Sequence, residues 1–570
     1  MGRESVYSLD GEWKYIIDPY ESGYYGHQGD IRPSGYFQNR QPGDKYELLE
    51  YNFETSRTIN VPGDWNTQSD QLFHYEGSVW YQRYFNVDKK DNKRYFVHFG
   101  AVNYQCIVFI NGQRVGQHEG GFTPFSFEVT DQVKDYKNDI ILLVDNKRHR
   151  DAIPAALTDW FNYGGITRSV NLVETLPTSV TNYHIQLDKN NSQNITGWIN
   201  IQGPNKTIEG ELLIPELNIK KKLAFQNGTV SLDLRANPIL WSSANPKLYE
   251  VLITLANGEI VKDNIGFRTV SVKGTEIHVN GKKVFLNGIS IHEEFPGAGR
   301  AHSRKHAEHM LGAAKELGCN FVRLAHYPHN EHMLHVADSL GLMIWSEIPV
   351  YWGIDWGKTY VLDKAKLALE EMVLRDQNRA SIILWSMANE TQPIPDRNIF
   401  LSELIKKARE MDPNRLITAA TETHVDETNP AVFWLQDPIN EQLDVMANNI
   451  YCGWYFDNPE GGCSAMTIKS RFNKPLIMSE FGAGAKAGFH GSERDRWTEE
   501  FQERVIEEDF KMLNKIEFLA GTVPWLLFDF RSPRRVLPEI QDGYNRKGLI
   551  SEKSERKKAF ETVKRYYQNK

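Results

Sequence analysis

Glu390 and Glu480 each stand at the tip of an apolar run, SIILWSMANE (381–390) and KPLIMSE (474–480). A carboxylate at the end of a buried strand is costly unless it is paired or used. Two of them facing one mouth have a chemical use. Carboxyl groups roughly 5–5.5 Å apart cleave a glycosidic bond with retention: one attacks the anomeric carbon, the other gives and then takes a proton. The attacking group must be ionised, which calls for cations and hydrogen-bond donors. The acid must keep its proton near neutrality, which calls for burial or a neighbouring negative charge. Other apolar runs nearby also end in functional groups: His292 with Glu293 and Glu294, Arg323 with His326, Glu347, Asn389, Asn449 with Tyr451, and Trp525. Singly, each has an ordinary reading: Arg323 and Glu347 as supporting ion-pair partners, the histidines as satisfied core-edge residues, Trp525 as packing. Two strand-end glutamates three strands apart are harder to read that way.

A (β/α)8 barrel gathers strand ends in this manner, because its C-terminal strand ends form one face. From about residue 276, apolar runs alternate with amphipathic stretches such as SRKHAEHMLGAAKELG (303–318) and DKAKLALEEMVLRDQNR (363–379). Eight candidate strands fit: KVFLNGISIH, NFVRLAH, LMIWSEI, IILWSMANE, LITAA, DVMANNIY, PLIMSE and TVPWLLFD. Residues 1–178 read differently, as short β-rich runs between turns, with Asn111-Gly112 as a hairpin signal. They suit a jelly roll or sandwich. Residues 179–275 are again strand-like and suit a smaller immunoglobulin-like sandwich. The expected organisation is therefore multidomain: 1–178, 179–275, and a barrel at 276–570.

Composition narrows the partners. The 570 residues carry a net charge of -8, which argues against nucleic acid, whose binding footprint is usually basic. No apolar run approaches the ~18 residues of a membrane span, so no membrane partner is expected. Aromatic residues make up 12%, which serves large cores first and sugar-stacking faces second. Cys106, Cys319, Cys452 and Cys463 show no CxxC pair and no close histidine. They are too sparse for a disulfide framework, and neither a metal nor another cofactor is expected. The start, MGRESVYSLDGEWKY, lacks an apolar signal core. A cytoplasmic location is expected as the chain stands, or a periplasmic or secreted one if a leader has been removed. A homo-oligomer is left open.

The motifs WFNYGGITRSV (160–170), NFVRLAHYPH (320–329), ILWSMANE and LIMSEFGA, in this order, resemble those of glycoside hydrolase family 2. The resemblance covers nearly the whole chain and implies a jelly-roll sugar-binding domain, an immunoglobulin-like domain and a barrel. It implies Glu390 as acid/base, Glu480 as nucleophile, and Asn389 as the amide that binds the sugar 2-hydroxyl. It places Tyr451 beside the nucleophile, and His292, His326, Asn449 and Trp525 around the −1 sugar. Asp159 is similar to an acidic residue that glucuronidase-like members send into the pocket from the jelly roll. The chain departs from the family at NRAS (378–381), where relatives have NHPS, and at Ala325, where Ser or Thr is common. Neither departure touches the two glutamates.

The sugar is addressed by QDGYNRKGLIS (541–551). Asn545 and Lys547 resemble the Asn-x-Lys pattern with which β-glucuronidases grip a C6 carboxylate; the ordinary reading is a solvated basic loop. Arg531, Arg534 and Arg535 precede it and either bind an acidic or sulfated saccharide or pair with surface acids. Three readings stay open: an exo-acting retaining β-glucuronidase or other β-uronidase on oligosaccharide ends, a β-galactosidase of the same family, and a non-catalytic carbohydrate-binding protein.

Overall fold

The structure is a computed structural model that describes residues 6–37, 42–422, 424–426, 428–429, 431–457 and 462–570. The N-terminal part is a sandwich of a six-stranded and a four-stranded antiparallel sheet. Alternation builds it. In Arg94–Phe99, Tyr95, Val97 and Phe99 point inward and join Trp13, Tyr81, Leu142 and Leu172 in one core. The expected hairpin is present: Gln105–Ile110 pairs with Gln113–Glu119. Asn111 (φ 49°) and Gly112 (φ 81°) supply the positive φ angles of its two-residue turn. A second sandwich of three and four strands follows, with its own core around Ile185, Ile199, Leu212 and Ile253.

A three-stranded sheet, Val270–Lys273, Glu276–Val279 and Lys282–Val284, runs across the expected boundary at 275/276. Its Val270, Ile277 and Val279 pack on Leu286, Phe321, Met343 and Leu416 at the barrel strands' N-terminal ends, closing the end opposite the mouth.

The closed barrel has eight strands: Leu286–His292, Phe321–Ala325, Met343–Glu347, Ile382–Asn389, Leu416–Glu422, Met446–Asn449, Leu476–Glu480 and Leu519–Thr522. The strands are parallel and covered on both faces, so they read as continuous apolar runs. The eighth differs from expectation. It ends at Thr522, because Pro524 has no N–H to continue a ladder, and Trp525 therefore lies on the segment beyond the strand.

The N-terminal sandwich is fastened to the barrel by a buried ion pair. Arg168 Nη2 donates to Glu293 Oε2 (3.0 Å), with side chains 5% and 0% exposed. Arg168 also donates to the carbonyls of Phe122 (2.7 Å) and Pro328 (2.8 Å). Burial pushes the Glu293 carboxyl up, but Arg168, His329 and His302 outweigh it and hold it at about 2. Arg168→Leu strands a buried carboxylate and should cost about 3–5 kcal/mol, read from the first denaturant transition; adding Glu293→Leu should recover part of the loss. A depressed carboxyl contributes stability above its unfolded value of 4.5 and loses it toward 2. The gap between wild type and Arg168→Leu should therefore narrow as pH falls from about 5 to about 2.

Candidate active site

The barrel mouth is organised around Arg323, wholly buried on the second strand. Its Nη1 donates to Glu480 Oε1 (2.8 Å). Its Nη2 donates to Asn389 Oδ1 (2.7 Å) and Glu347 Oε1 (3.2 Å), and Nε to Glu347 Oε2 (3.3 Å). Glu347 also meets His326 Nδ1 (2.8 Å) and accepts from Trp345 Nε1 (2.7 Å). Burial raises the Glu347 carboxyl, but Arg323 and His326 bring it down to about 2. It is therefore a fixed anion. His326 is held neutral by burial and donates to it from Nδ1.

Glu480 closes the seventh strand and also accepts from the Tyr451 hydroxyl (2.6 Å). Glu390 follows the fourth strand in a left-handed conformation (φ 49°). It accepts from Asn449 Nδ2 (2.9 Å) and from Trp352 Nε1 (2.8 Å). Trp352 is itself at φ 54°, uncommon for so bulky a residue, and its N–H donates to the Asn389 carbonyl (3.1 Å). Asn449 Nδ2 also donates to Asn389 Oδ1 (3.2 Å), its Oδ1 accepts from Ser479 Oγ (2.7 Å), and it lies in register with Glu480. Asn389 Nδ2 is buried without a partner among the described residues, a free donor.

Burial pushes Glu480 up to about 8; Arg323 works against this and the charge of Glu390 adds to it. The donors are unequal. Glu480 has a guanidinium and a phenol whose own pKa is driven well above 10.0, whereas Glu390 has only neutral N–H donors. Negative charge is therefore better met on Glu480 than on Glu390.

The floor is aromatic. His326 stacks on Trp525 (4.8 Å), and His292 on Phe530 (4.1 Å) with its edge toward Trp525 (5.3 Å). Burial holds His292 neutral, and its Nε2 has no partner among the described residues. Phe122 and Trp160 of the N-terminal sandwich join this floor.

One wall comes from Asp159 and the segment after the eighth strand. Asp159 accepts from Ser532 Oγ (2.8 Å), Arg535 Nη2 (2.7 Å) and Asn545 Nδ2 (2.9 Å). Asp159 therefore holds this wall together. Lys547 is 4% exposed. Its Nζ donates to the Tyr455 hydroxyl (2.9 Å) and lies over the rings of Tyr455, Tyr451 and Trp454 at 4.8, 5.1 and 5.4 Å. Among the described residues no carboxylate pairs with it. Cys452 and Cys463 form a disulfide that ties the loop bearing Trp454 and Tyr455, a link the cysteine count did not suggest. Asp457 approaches both sulfurs, but bonded sulfurs offer no thiolate.

The sequence matches the descriptions "Glycosyl hydrolases family 2, TIM barrel domain" over 270–570, "sugar binding domain" over 6–177, and "Glycosyl hydrolases family 2" over 174–268. The chain belongs to glycoside hydrolase family 2. A putative beta-glucuronidase of Formosa agariphila is 30% identical over 91% of this chain and 68% of its own. A beta-glucuronidase of Paenibacillus borealis is 27% identical over 97% and 95%. The Ruminococcus gnavus β-glucuronidase structure superposes with a TM-score of 0.83 at 25% identity, covering 100% of this chain and 99% of that one.

The structure joins Glu390, Glu480, Asn389, Asn449, Tyr451 and His326 through hydrogen bonds around Arg323 and Glu347, sets His292 and Trp525 in the aromatic floor, and places Asp159 against Asn545, two residues before Lys547. Trp352, Tyr455 and the Arg535–Asp159 contact escaped sequence reasoning. The run of aromatics in YCGWYF (451–456) was the available signal for Tyr455; nothing marked Trp352.

If Glu480 acts as a carboxylate, kcat/KM should fall as pH drops below about 8, where burial returns a proton to it. Glu347→Gln removes one anion from Arg323, so the guanidinium acts more fully on Glu480 and the Glu480 pKa falls. The acid limb should then move to lower pH in the pH–rate profile; an unmoved limb would show that Glu347 does not tune Glu480.

Proposed function

We propose that the chain is an exo-acting, retaining β-uronidase, first of all a β-glucuronidase, that removes a terminal uronic acid from oligosaccharides. The observation that carries the sugar is Lys547. A buried ammonium without a counter-ion is costly, and a C6 carboxylate on the bound sugar would supply one. Asn545 and Arg535 stand on the same wall, and the ring beneath Lys547 is Tyr451, which hydrogen-bonds Glu480. The curated relatives named as β-glucuronidases support the same reading.

In this mechanism Glu480, ionised by Arg323 and Tyr451, attacks the anomeric carbon. Glu390 gives its proton to the departing glycosidic oxygen. A covalent glycosyl–enzyme ester remains, and Glu390, now a base, takes a proton from the water that displaces Glu480. Asn389 Nδ2 donates to the sugar 2-hydroxyl, a contact that strengthens as positive charge develops. His292, His326 and Trp525 shape the −1 pocket, Asn449 aligns Glu390, and Asp159 fixes the uronate wall.

Glu480→Ala should be rescued by azide to give the α-glycosyl azide, identified by NMR. Glu390→Ala should keep more activity on aryl substrates with good leaving groups, which need little protonation. The opposite pattern would exchange the roles.

Lys547→Ala should cost a β-uronide about 2–4 kcal/mol of transition-state stabilisation while affecting a β-galactoside far less. The ratio of the two kcat/KM values decides between uronidase and galactosidase. A wild-type preference for galactoside, or an equal loss on both substrates, would favour the galactosidase.

A further inference from the structure

Next to the tryptophan that touches Glu390 stands a cation that the mechanism above does not use. Arg534 lies on the loop after the eighth strand, exposed, with its guanidinium 5.0 Å over the ring of Trp352. That ring's Nε1 is the donor to Glu390 Oε2. Stacking uses the face of a guanidinium and leaves its N–H edges free. Among the described residues, none of those edges has an acceptor and no carboxylate pairs with Arg534. Its two neighbours behave otherwise. Arg531 is sandwiched between Phe73 and Tyr544, and Arg535 is bound to Asp159.

The loop that presents Arg534 is ordered by its own backbone. Phe530–Arg531 pairs with Tyr544–Asn545. The Arg535 N–H donates to the Ser532 carbonyl (3.2 Å), and the Gly543 N–H to the Arg535 carbonyl (2.8 Å). Arg534 is thus fixed at its base and open at its fork, directly above the tryptophan that touches the acid.

We propose that Trp352 and Arg534 form the +1 subsite, and that it takes a leaving sugar carrying an anionic substituent, a sulfate ester or a carboxylate. The proposal rests on Glu390 being the proton donor. The group Glu390 protonates is the glycosidic oxygen, so the sugar attached to that oxygen must lie against Trp352. An anion on that sugar then meets a planar fork of donors suited to bidentate contact. This contact is separate from the one Lys547 makes with the −1 sugar.

The test uses three matched β-uronosyl disaccharides whose reducing sugar is neutral, O-sulfated or a uronate. The wild type should show a higher kcat/KM on both anionic members than on the neutral one, and added NaCl should weaken that preference. Arg534→Gln should cut the anionic-to-neutral ratio about tenfold or more, and Arg534→Lys, which keeps the charge but loses the fork, should cut it less. A wild-type ratio at or below one, or a ratio that Arg534→Gln leaves unchanged, overturns the proposal and leaves Arg534 as a cover for the Trp352 ring. If β-galactosides are cleaved instead, the uronidase reading fails. The same three leaving sugars on a galactosyl glycone then give the ratio, so the two failures are told apart.

Discussion

A single buried guanidinium holds the barrel mouth together. Arg323 has no exposed surface, and removing such a charge from water is worthwhile only where it is fully met. It is met by two carboxylates, Glu347 and Glu480, and by the Asn389 amide oxygen. These partners come from the third, seventh and fourth strands, so the contact exists only in the closed barrel, at one register. Arg323 pairs in register with Trp345, two residues short of Glu347. A slip of one residue would turn the arginine to the other face of the sheet. The same contact sets the chemistry. Burial alone would keep Glu480 protonated; Arg323 opposes that and leaves the carboxyl with a pKa within reach of neutral pH.

How far this could be read from the chain depended on where each residue sat. Glu390, Glu480, Asn389, Asn449 and Tyr451 end continuous apolar runs, and a run both of whose faces are covered announces its own tip. The barrel and the two sandwiches were legible for the same reason, as changes in the period of the apolar pattern. The eighth strand was misread because PWLLF is as apolar as a strand, and only Pro524 shows that the ladder cannot continue. Trp352 was invisible because its orientation depends on a left-handed backbone and on a contact with the residue after another strand. Asp159 was legible as a motif residue. Its partners lie about 370–390 positions away in sequence, so its role in binding Ser532, Arg535 and Asn545 needed the fold.

The mouth is not the barrel's alone. Trp160 and Phe122 arrive from the N-terminal sandwich and pack with Tyr327, Tyr351, Trp525 and Phe530. Trp160 meets Tyr351 edge to face at 4.8 Å. Without these rings His292 and His326 would face water. Burial is the main cause holding both neutral, so a wetter floor would let them charge beside Arg323 and lose the donor geometry at Glu347. The buried Arg168–Glu293 pair joins the same sandwich to the residue after His292.

The cations around the mouth differ in how completely the protein itself answers them. Arg323 has two carboxylates and Arg535 has one. Lys547 has a phenol and three ring faces, and Arg534 has one ring face. An aromatic face is a weaker partner than a carboxylate, worth about 0.5–2 kcal/mol, yet it holds a cation in place while leaving its charge available. The fully paired cations therefore serve the framework and the acids, Arg531 is closed between two rings, and on the proposed reading Lys547 and Arg534 keep charge for a ligand. Lys547 lies over the ring that touches Glu480, and Arg534 over the ring that touches Glu390. Two cations with charge to spare, one by each carboxyl group, make an acidic saccharide spanning both sides of the scissile bond a better electrical match to the mouth than a neutral one, although the chain as a whole is negative.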